Sequence, residues 1–474
     1  MLSYDAVVVG AGPNGLAAAI ELARAGLSVL VREAREEVGG AAKSLPLTLP
    51  GFIHDPFSSI YPLAVGSPYL STLPLANHGL AWVQPPAPLA HPFDDGAATS
   101  LERSIATTAA TLGRSGGSYA DILEPLVRGW PGFATEILAP LHLPRSPILL
   151  ARFGTQALRS ASALARTLGG RAAALFAGSA AHSGLALDRP ATAAIGLVLC
   201  AAGHAVGWPF PAGGAGRLSE AMASYLGSLG ATIEVGAPVD RLDALPPSRA
   251  ILLDLTPRQV VRIAGDRLPA RYVDSLRRFR YGVGVFKLDW ALSEPIPWRA
   301  PACRRAATIH LGGAADEIIA ASRAAPNGTI AERPFVILAQ HSLFDPTRTP
   351  PGMHTAWAYC HVPNGAPTDM TERIEAQVER FAPGFRNTIL ARNRLAPRDL
   401  EALDANLVGG DVNGGSPELR QIFFRPVRRM NPYSTPVEGL YLCSASTPPG
   451  GGVHGMCGYH AARTALRDLG IRRQ

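Results

Sequence analysis

The 474-residue sequence predicts an α/β fold built as more than one domain, and three observations carry that prediction. The first is an opening order of strand, Gly-rich turn, helix, strand and acid over residues 6–33. The second is the return of short apolar strands and breaker-free helices in the middle and at the end of the chain. The third is composition: 47% hydrophobic and 17% charged residues are too apolar for disorder, at a length that suits two or three domains.

Ala6 to Val9 is a short apolar, β-branched run, as a buried parallel strand requires. Gly10-Ala11-Gly12-Pro13-Asn14-Gly15 follows at once, then residues 16–25 read as a helix that Gly26 stops. Residues 28–31 resume a strand, with Glu33 at its end. Residues 101–112 read as a helix before Gly113, and 147–181 as helical and Arg-studded (Arg152, Arg159, Arg166, Arg171), broken at Gly169-Gly170. Such a face suits either the outside of a helical domain or contact with a membrane surface.

Further on, residues 218–229 predict a helix, and 232–235 and 250–255 predict strands. A strand and turn are expected over 280–298, with two more strands at 335–340 and 355–359. Residues 370–381 alternate charge with helical period, 439–443 form a strand, and 459–469 the closing helix. One α/β domain is therefore expected from residues 1–75, 205–265 and 415–474. Residues 76–204 and 266–414 are expected to form an inserted, mixed α+β substrate domain with a helical part.

Several functional classes are excluded. Five cysteines without a C-x-x-C signal neither structural zinc nor a dithiol centre, and the twelve histidines show no metal spacing, so no metal is expected. The net charge of +7 is spread without basic runs interleaved with aromatics, which argues against nucleic acid. Met1 leads straight into a strand pattern, and the most apolar stretch, 191–203, is shorter than the ~20 residues of a membrane span. A cytoplasmic protein, soluble or peripheral to a membrane, is expected.

The first motif has a clear mechanism. Gly10 permits the tight turn out of the strand, Gly12 lets backbone approach a pyrophosphate, and Gly15 allows close helix–strand packing. Pro13 and Asn14 open the helix, whose N-terminus favours phosphate. Glu33, 18 residues after Gly15, is spaced to accept hydrogen bonds from a ribose diol. Gly39 and Gly40 permit a second loop to approach the same dinucleotide. Lys43 either adds positive charge near the phosphates or stands solvated. A second Gly-rich loop, Pro448 to Gly455, precedes the last helix, and its Gly451, Gly452 and Val453 could face the ligand. No acid follows that loop at ribose spacing, so one nucleotide site is expected.

Together GAGPNG, Glu33 and Gly39-Gly40 at the start, and GLYLCSASTPPGGGVHG from Gly439, resemble the phytoene desaturase-like FAD-dependent oxidoreductases. His54-Asp55, YGVGVFKLDWAL from Tyr281, HSLFDPTR from His341 and GGDVNGG from Gly409 bring the likeness closest to the branch called pyridine nucleotide-disulfide oxidoreductase domain-containing protein 2. The resemblance implies a Rossmann-like FAD-binding domain assembled from separated segments, FAD as cofactor, and Val239 beside the adenine. It also implies a dehydrogenase or desaturase acting on C–C bonds of a small hydrophobic substrate; the electron acceptor stays open, with oxygen and a quinone as the candidates. Three departures stand out: Ala41 replaces a common arginine, Ser444 stands where glycine is usual, and residues 239–250 are too short for the usual three-stranded meander.

Only two of the 44 Lys+Arg are lysines, Lys43 and Lys287. An amine can lose its proton when desolvated, whereas arginine stays charged. The segment around Lys287 resembles the strand that places a lysine near flavin N5 in flavin amine oxidases, so Lys287 is a candidate base or water-positioning group. His54 and His454 lie in motif-like segments and are carried as candidate catalytic groups beside the reading that they are structural. C–N oxidation, a redox-neutral FAD isomerase and a non-catalytic prenyl-binding protein are the alternatives.

Overall fold

The computed structural model describes residues 3–471, so Met1, from which the chain is expected to lead straight into a strand, lies outside the described residues. The strands are β1 (Tyr4–Val9), β2 (Val29–Arg32), β3 (Trp82–Val83), β4 (Ala87–Pro92), β5 (Ala98–Leu101), β6 (Phe210–Pro211) and β7 (Thr232–Glu234). They continue as β8 (Ser248–Leu253), β9 (Gly284–Leu292), β10 (Ala306–Leu311), β11 (Val336–Ala339), β12 (His354–Val362), β13 (Ile389–Leu395) and β14 (Leu440–Leu442).

Strands from the start, middle and end of the chain make one parallel sheet, in the order β14-β8-β1-β2-β7. Residues 6–9 of β1 and 29–31 of β2 are apolar and buried because both faces are covered there, whereas the edge strand β7 exposes Thr232 and Glu234. Ala6 and Val8 of β1 face the helices at Pro13–Arg24 and Met456–Asp468, whereas Val7 and Val9 face Val260 and Ile263 of the helix at Pro257–Ala264. The helix at Met456–Asp468 crosses the first one at Gly458, where a Cβ would lie 1.8 Å from the Asn14 carbonyl oxygen. Only glycine fits there.

The second sheet has seven strands, β13-β9-β12-β11-β10-β4-β5, antiparallel except where β10 meets β4. One face buries Phe286, Leu288, Trp290, Leu338 and Ala358 against Ile374, Val378 and Phe381 of the helix at Thr371–Phe381. Burying one such side chain contributes about 1.5–3 kcal/mol. The other face carries Lys287, Asp289, Trp357, Tyr359, Ile337, Thr308 and His310, which the registers bring side by side. That face looks toward the helices at Gly170–Ala181 and Ala193–Val206.

Two expected helices are differently divided. Residues 98–101 pair as β5, and the helix begins only at Ile105 because Ser104 caps it, accepting from the Thr107 amide at 3.2 Å. The 147–181 stretch is three helices, Pro147–Ala157, Ala161–Leu168 and Gly170–Ala181, the second capped by Ser160. No helix among the described residues is long and apolar enough to cross a membrane.

Candidate functional site

A cavity of about 670 Å³ runs between the two sheets. Its first end is the Gly-rich turn. Gly10 has φ +101°, and a Cβ there would lie 3.1 Å from Asp254; a Cβ on Gly15 would lie 2.0 Å from the Gly10 carbonyl oxygen. Gly12 and Gly40 meet almost backbone to backbone, since a Cβ on Gly40 would stand 3.1 Å from the Gly12 Cα. Gly10, Gly12, Pro13, Asn14 and Gly40 line the cavity, and the buried Oδ1 of Asn14 has no partner in the protein. Gly15 and Gly39 stand behind this lining; Gly39 donates its amide to the Ala11 carbonyl at 2.9 Å and so fixes the second loop on the first.

Glu33 follows β2 and also lines the cavity. Its carboxylate accepts from the Ala11 amide at 2.8 Å and the Arg35 amide at 2.9 Å, which fixes both oxygens at the rim. Lys43 and Val239 line the same end, together with Arg35 and Arg262. Cations thus stand near the phosphate cradle although Ala41 occupies the expected arginine position. From the second Gly-rich loop, Gly452 and Val453 reach the cavity; Gly451 instead packs on Asn413, whose carbonyl oxygen would be 2.7 Å from an added Cβ. Ser444 lines the cavity while donating its hydroxyl to the Leu255 carbonyl at 2.8 Å.

Two acids that pattern reading missed complete this end. Asp254 follows β8, and the register Val9↔Leu253 brings it beside Gly10. It accepts from the Gly15 amide at 2.8 Å, and burial pushes its pKa up to about 8, with Asp404 and Glu33 adding to the rise. Burial likewise raises Asp404. Only the pairing of β1 with β8 reveals Asp254; Asp404 arrives on a loop from the second sheet, where Asn406 bonds the Asp254 carbonyl at 3.1 Å and the Thr256 amide at 2.8 Å.

Lys287 lines the middle of the cavity from β9 and is 2% exposed. The strand is regular, so Lys287 and Asp289 share a face and form an ion pair. The ammonium also stands 5.3 Å from the centre of the Trp357 ring. Burial lowers the lysine pKa, and Asp289 opposes that shift. Beyond Lys287 the wall becomes apolar and aromatic, with Trp357, Tyr359, Ile337, Leu199 and Trp208.

Neither candidate histidine lines the cavity. His54 is clamped between the Thr48 hydroxyl at 2.7 Å and the Thr355 hydroxyl at 2.9 Å, 3.8 Å from Asp289, and burial lowers its pKa to about 4. It supports the Lys287–Asp289 pair from behind. His454 accepts from the Met456 amide at 3.0 Å and holds the turn into the last helix, neutral for the same reason. Nearby, Asp55 accepts from Arg348 at 2.7 Å, Ser44 at 2.6 Å and the Ala215 amide at 2.9 Å. Burial alone would raise the Asp55 pKa, but Arg348, His341 and the serine hydroxyls outweigh it and hold the carboxyl well below its usual range. Asp411 caps the amides of Gly282, Asn413 and Gly415. Among the described residues no group of three His, Cys, Asp or Glu could hold a metal, and all five cysteines are buried and unpaired.

The glycine cradle, the acid at the end of β2 and the unpartnered Asn14 oxygen fit a dinucleotide. Comparisons agree. Residues 8–72 match the family model of the NAD(P)-binding Rossmann-like domain. The chain is 28% identical to the mouse (Mus musculus) pyridine nucleotide-disulfide oxidoreductase domain-containing protein 2, over 98% of this chain and 94% of that protein. It is 26% identical to a lycopene-forming phytoene desaturase of Paracoccus sp., over 98% of this chain and 97% of the relative. Putrescine oxidase bound to putrescine has the same fold, with a TM-score of 0.61 at 18% identity, covering 99% of both chains.

Proposed function

We propose that this chain, related over nearly its whole span to the phytoene desaturase-like proteins, is an FAD-dependent oxidoreductase that acts on C–C bonds of a small hydrophobic molecule. One observation carries the reading: a single cavity joins the glycine cradle to an apolar, aromatic chamber, with Lys287 between them. Bound FAD would supply the two-electron chemistry; the protein supplies orientation and electrostatics. The turn at Gly10–Gly15 and Gly40 would take the pyrophosphate, Glu33 the ribose, and Val239 would flank the adenine. Gly452 and Val453 would lie on the opposite wall.

Ser444 is compatible with this arrangement, because its hydroxyl is turned onto the Leu255 carbonyl. Asp254 would oppose a pyrophosphate if ionised, and its burial keeps it neutral at neutral pH. Lys287 is the group we assign to moving or positioning a proton, since it is the one amine on the chamber wall and its charge is already strained by burial. A desaturase needs no anionic recognition of its substrate. The chamber beyond Lys287 supplies none, which favours C–C over C–N chemistry.

The test is anaerobic mixing of the flavin-loaded protein with isoprenoid and amine candidates, followed at the flavin absorbance bands. Bleaching by isoprenoids and not by amines is expected; the reverse would establish C–N oxidation, and a protein that never retains flavin would end the reading. Lys287→Met should keep FAD bound and slow flavin reduction or reoxidation about 100-fold, the usual scale of a lost acid–base group. Unchanged rates in both half-reactions would return Lys287 to a structural role.

A further inference from the structure

At the far end of the cavity, two strands beyond the Tyr359 phenol, the largely apolar wall carries a polar spot. Thr308 of β10 lines the cavity, is 2% exposed, and its hydroxyl has no partner. His182, from the end of the helix at Gly170–Ala181, lines the cavity too and meets His310 through the two Nε2 atoms at 2.9 Å. The Nδ1 of His310 is buried without a partner against Gly178. A buried orphan lone pair is easier to tolerate than a buried orphan N–H. His310 therefore carries its proton on Nε2 and donates to His182, which leaves His182 with its proton on Nδ1, as a donor. A hydroxyl that can donate or accept and an imidazole N–H thus share the β10 end of this wall, apart from the Trp357 and Tyr359 rings.

Nothing charged faces this spot. The charged side chains of the cavity are those of the dinucleotide end and Lys287. Burial lowers the His182 pKa to about 3 and holds His310 well below its usual value, so both rings are neutral at neutral pH. A carboxylate would find no cation there and an ammonium no anion, and each would lose its hydration. A pure hydrocarbon would leave the Thr308 hydroxyl unpaired.

We propose that the substrate carries one uncharged oxygen, as an alcohol or carbonyl, bound by Thr308 and His182, with its apolar body reaching back toward Lys287. This rests on the oxidoreductase reading above and adds the substrate class to it. The sheet sets the span: Lys287, Tyr359, Ile337 and His310 lie in register on four adjacent strands. Three inter-strand steps place the oxygen roughly 14 Å from the lysine strand. The oxygen is therefore an anchor remote from the reacting bond.

Four probes on one skeleton test this: farnesol, farnesoic acid, farnesylamine and farnesene. Binding to the full-length protein is read by quenching of tryptophan fluorescence, since Trp208 and Trp357 line the cavity, and reaction by anaerobic flavin bleaching. Farnesol is expected to bind roughly tenfold or more tighter than the other three. Thr308→Val, close to isosteric, should remove that advantage and leave farnesene binding unchanged. Farnesene binding as tightly as farnesol, tightest binding of the acid or amine, an unaffected Thr308→Val, or no quenching by any probe would each overturn the proposal. The wild-type series decides even if the variant fails to fold. Selective farnesol binding without any flavin in the protein would sink the oxidoreductase reading and leave the anchor standing.

Discussion

Replacing Asp254 with Asn is expected to remove a pH dependence from cofactor binding. The Asp254 side chain is 8% exposed, accepts one amide from Gly15, and titrates at about 8 instead of the ordinary value near 4. Its neutral form is the one that tolerates a pyrophosphate at Gly12. With FAD bound, the carboxyl should hold its proton still more firmly, so above pH ~8 binding must draw a proton from solution. The FAD dissociation constant should then rise about tenfold per pH unit, or about 1.4 kcal/mol. Asn keeps an oxygen for the Gly15 amide and does not titrate, so its profile should be flat.

The same group acts on folding. Between about pH 4 and 8 the folded chain holds this proton and the unfolded chain does not, so the contribution of Asp254 to stability falls as pH rises through that window. The loss is at most about 5 kcal/mol. Fluorimetric FAD titrations of both proteins from about pH 6 to 10, with denaturant unfolding of the cofactor-free forms, measure the two effects. Equal slopes above pH 8 in wild type and Asp254→Asn would refute the reasoning.

Gly12→Asp should abolish FAD retention, because its Cβ would stand 3.0 Å from Asp254 and its carboxylate would meet the pyrophosphate; flavin content after desalting is the readout, and normal content would exclude the cradle. Arg348→Met should cost about 3–5 kcal/mol in denaturant unfolding, since it strands the buried Asp55 charge. Leu141, Leu143 and Ile148 are 66%, 91% and 73% exposed beside the exposed Arg145 and Arg152, so co-sedimentation with anionic vesicles is expected. Leu143→Glu with Ile148→Glu should reduce it severalfold; no pelleting of the parent protein would remove membrane contact from consideration.

The dinucleotide end was legible because its chemistry is local. A tight turn, a helix start and an acid at the end of β2 all fall within residues 6–33, and Glu33, Gly12 and Gly40 line the cavity as their spacing implies. Lys287 stood out by rarity, and a regular β9 put Asp289 on its face. The chamber was illegible because it is a product of register: Thr308, Ile337 and Tyr359 come from three strands separated by long connections. β10 and β13 escaped notice for different reasons. The first is buried on both faces and so shows no alternation, and the second interleaves arginines with apolar residues as an outer strand of the sheet does. His54 and His454 looked functional because motif segments preserve turns as well as chemistry, and both histidines hold turns or neighbours in place.

Residues 400–407, the end of the helix at Pro397–Leu403 and the turn after it, tie the two sheets together. They follow β13 in the chain, yet Asn406 and Ala405 bond Asp254, Thr256 and Gln259, while Leu400 and Leu407 pack on Val285 and Phe57. The wall beside the glycine cradle is therefore supplied in part by chain that follows β13 of the second sheet. A nucleotide-binding half cut free of that segment would lose Asp404, Asn406 and the cover over Asp254. Exchange of the seven-stranded sheet between relatives would thus be expected to alter cofactor affinity too, unless residues 400–407 remain with their original partner.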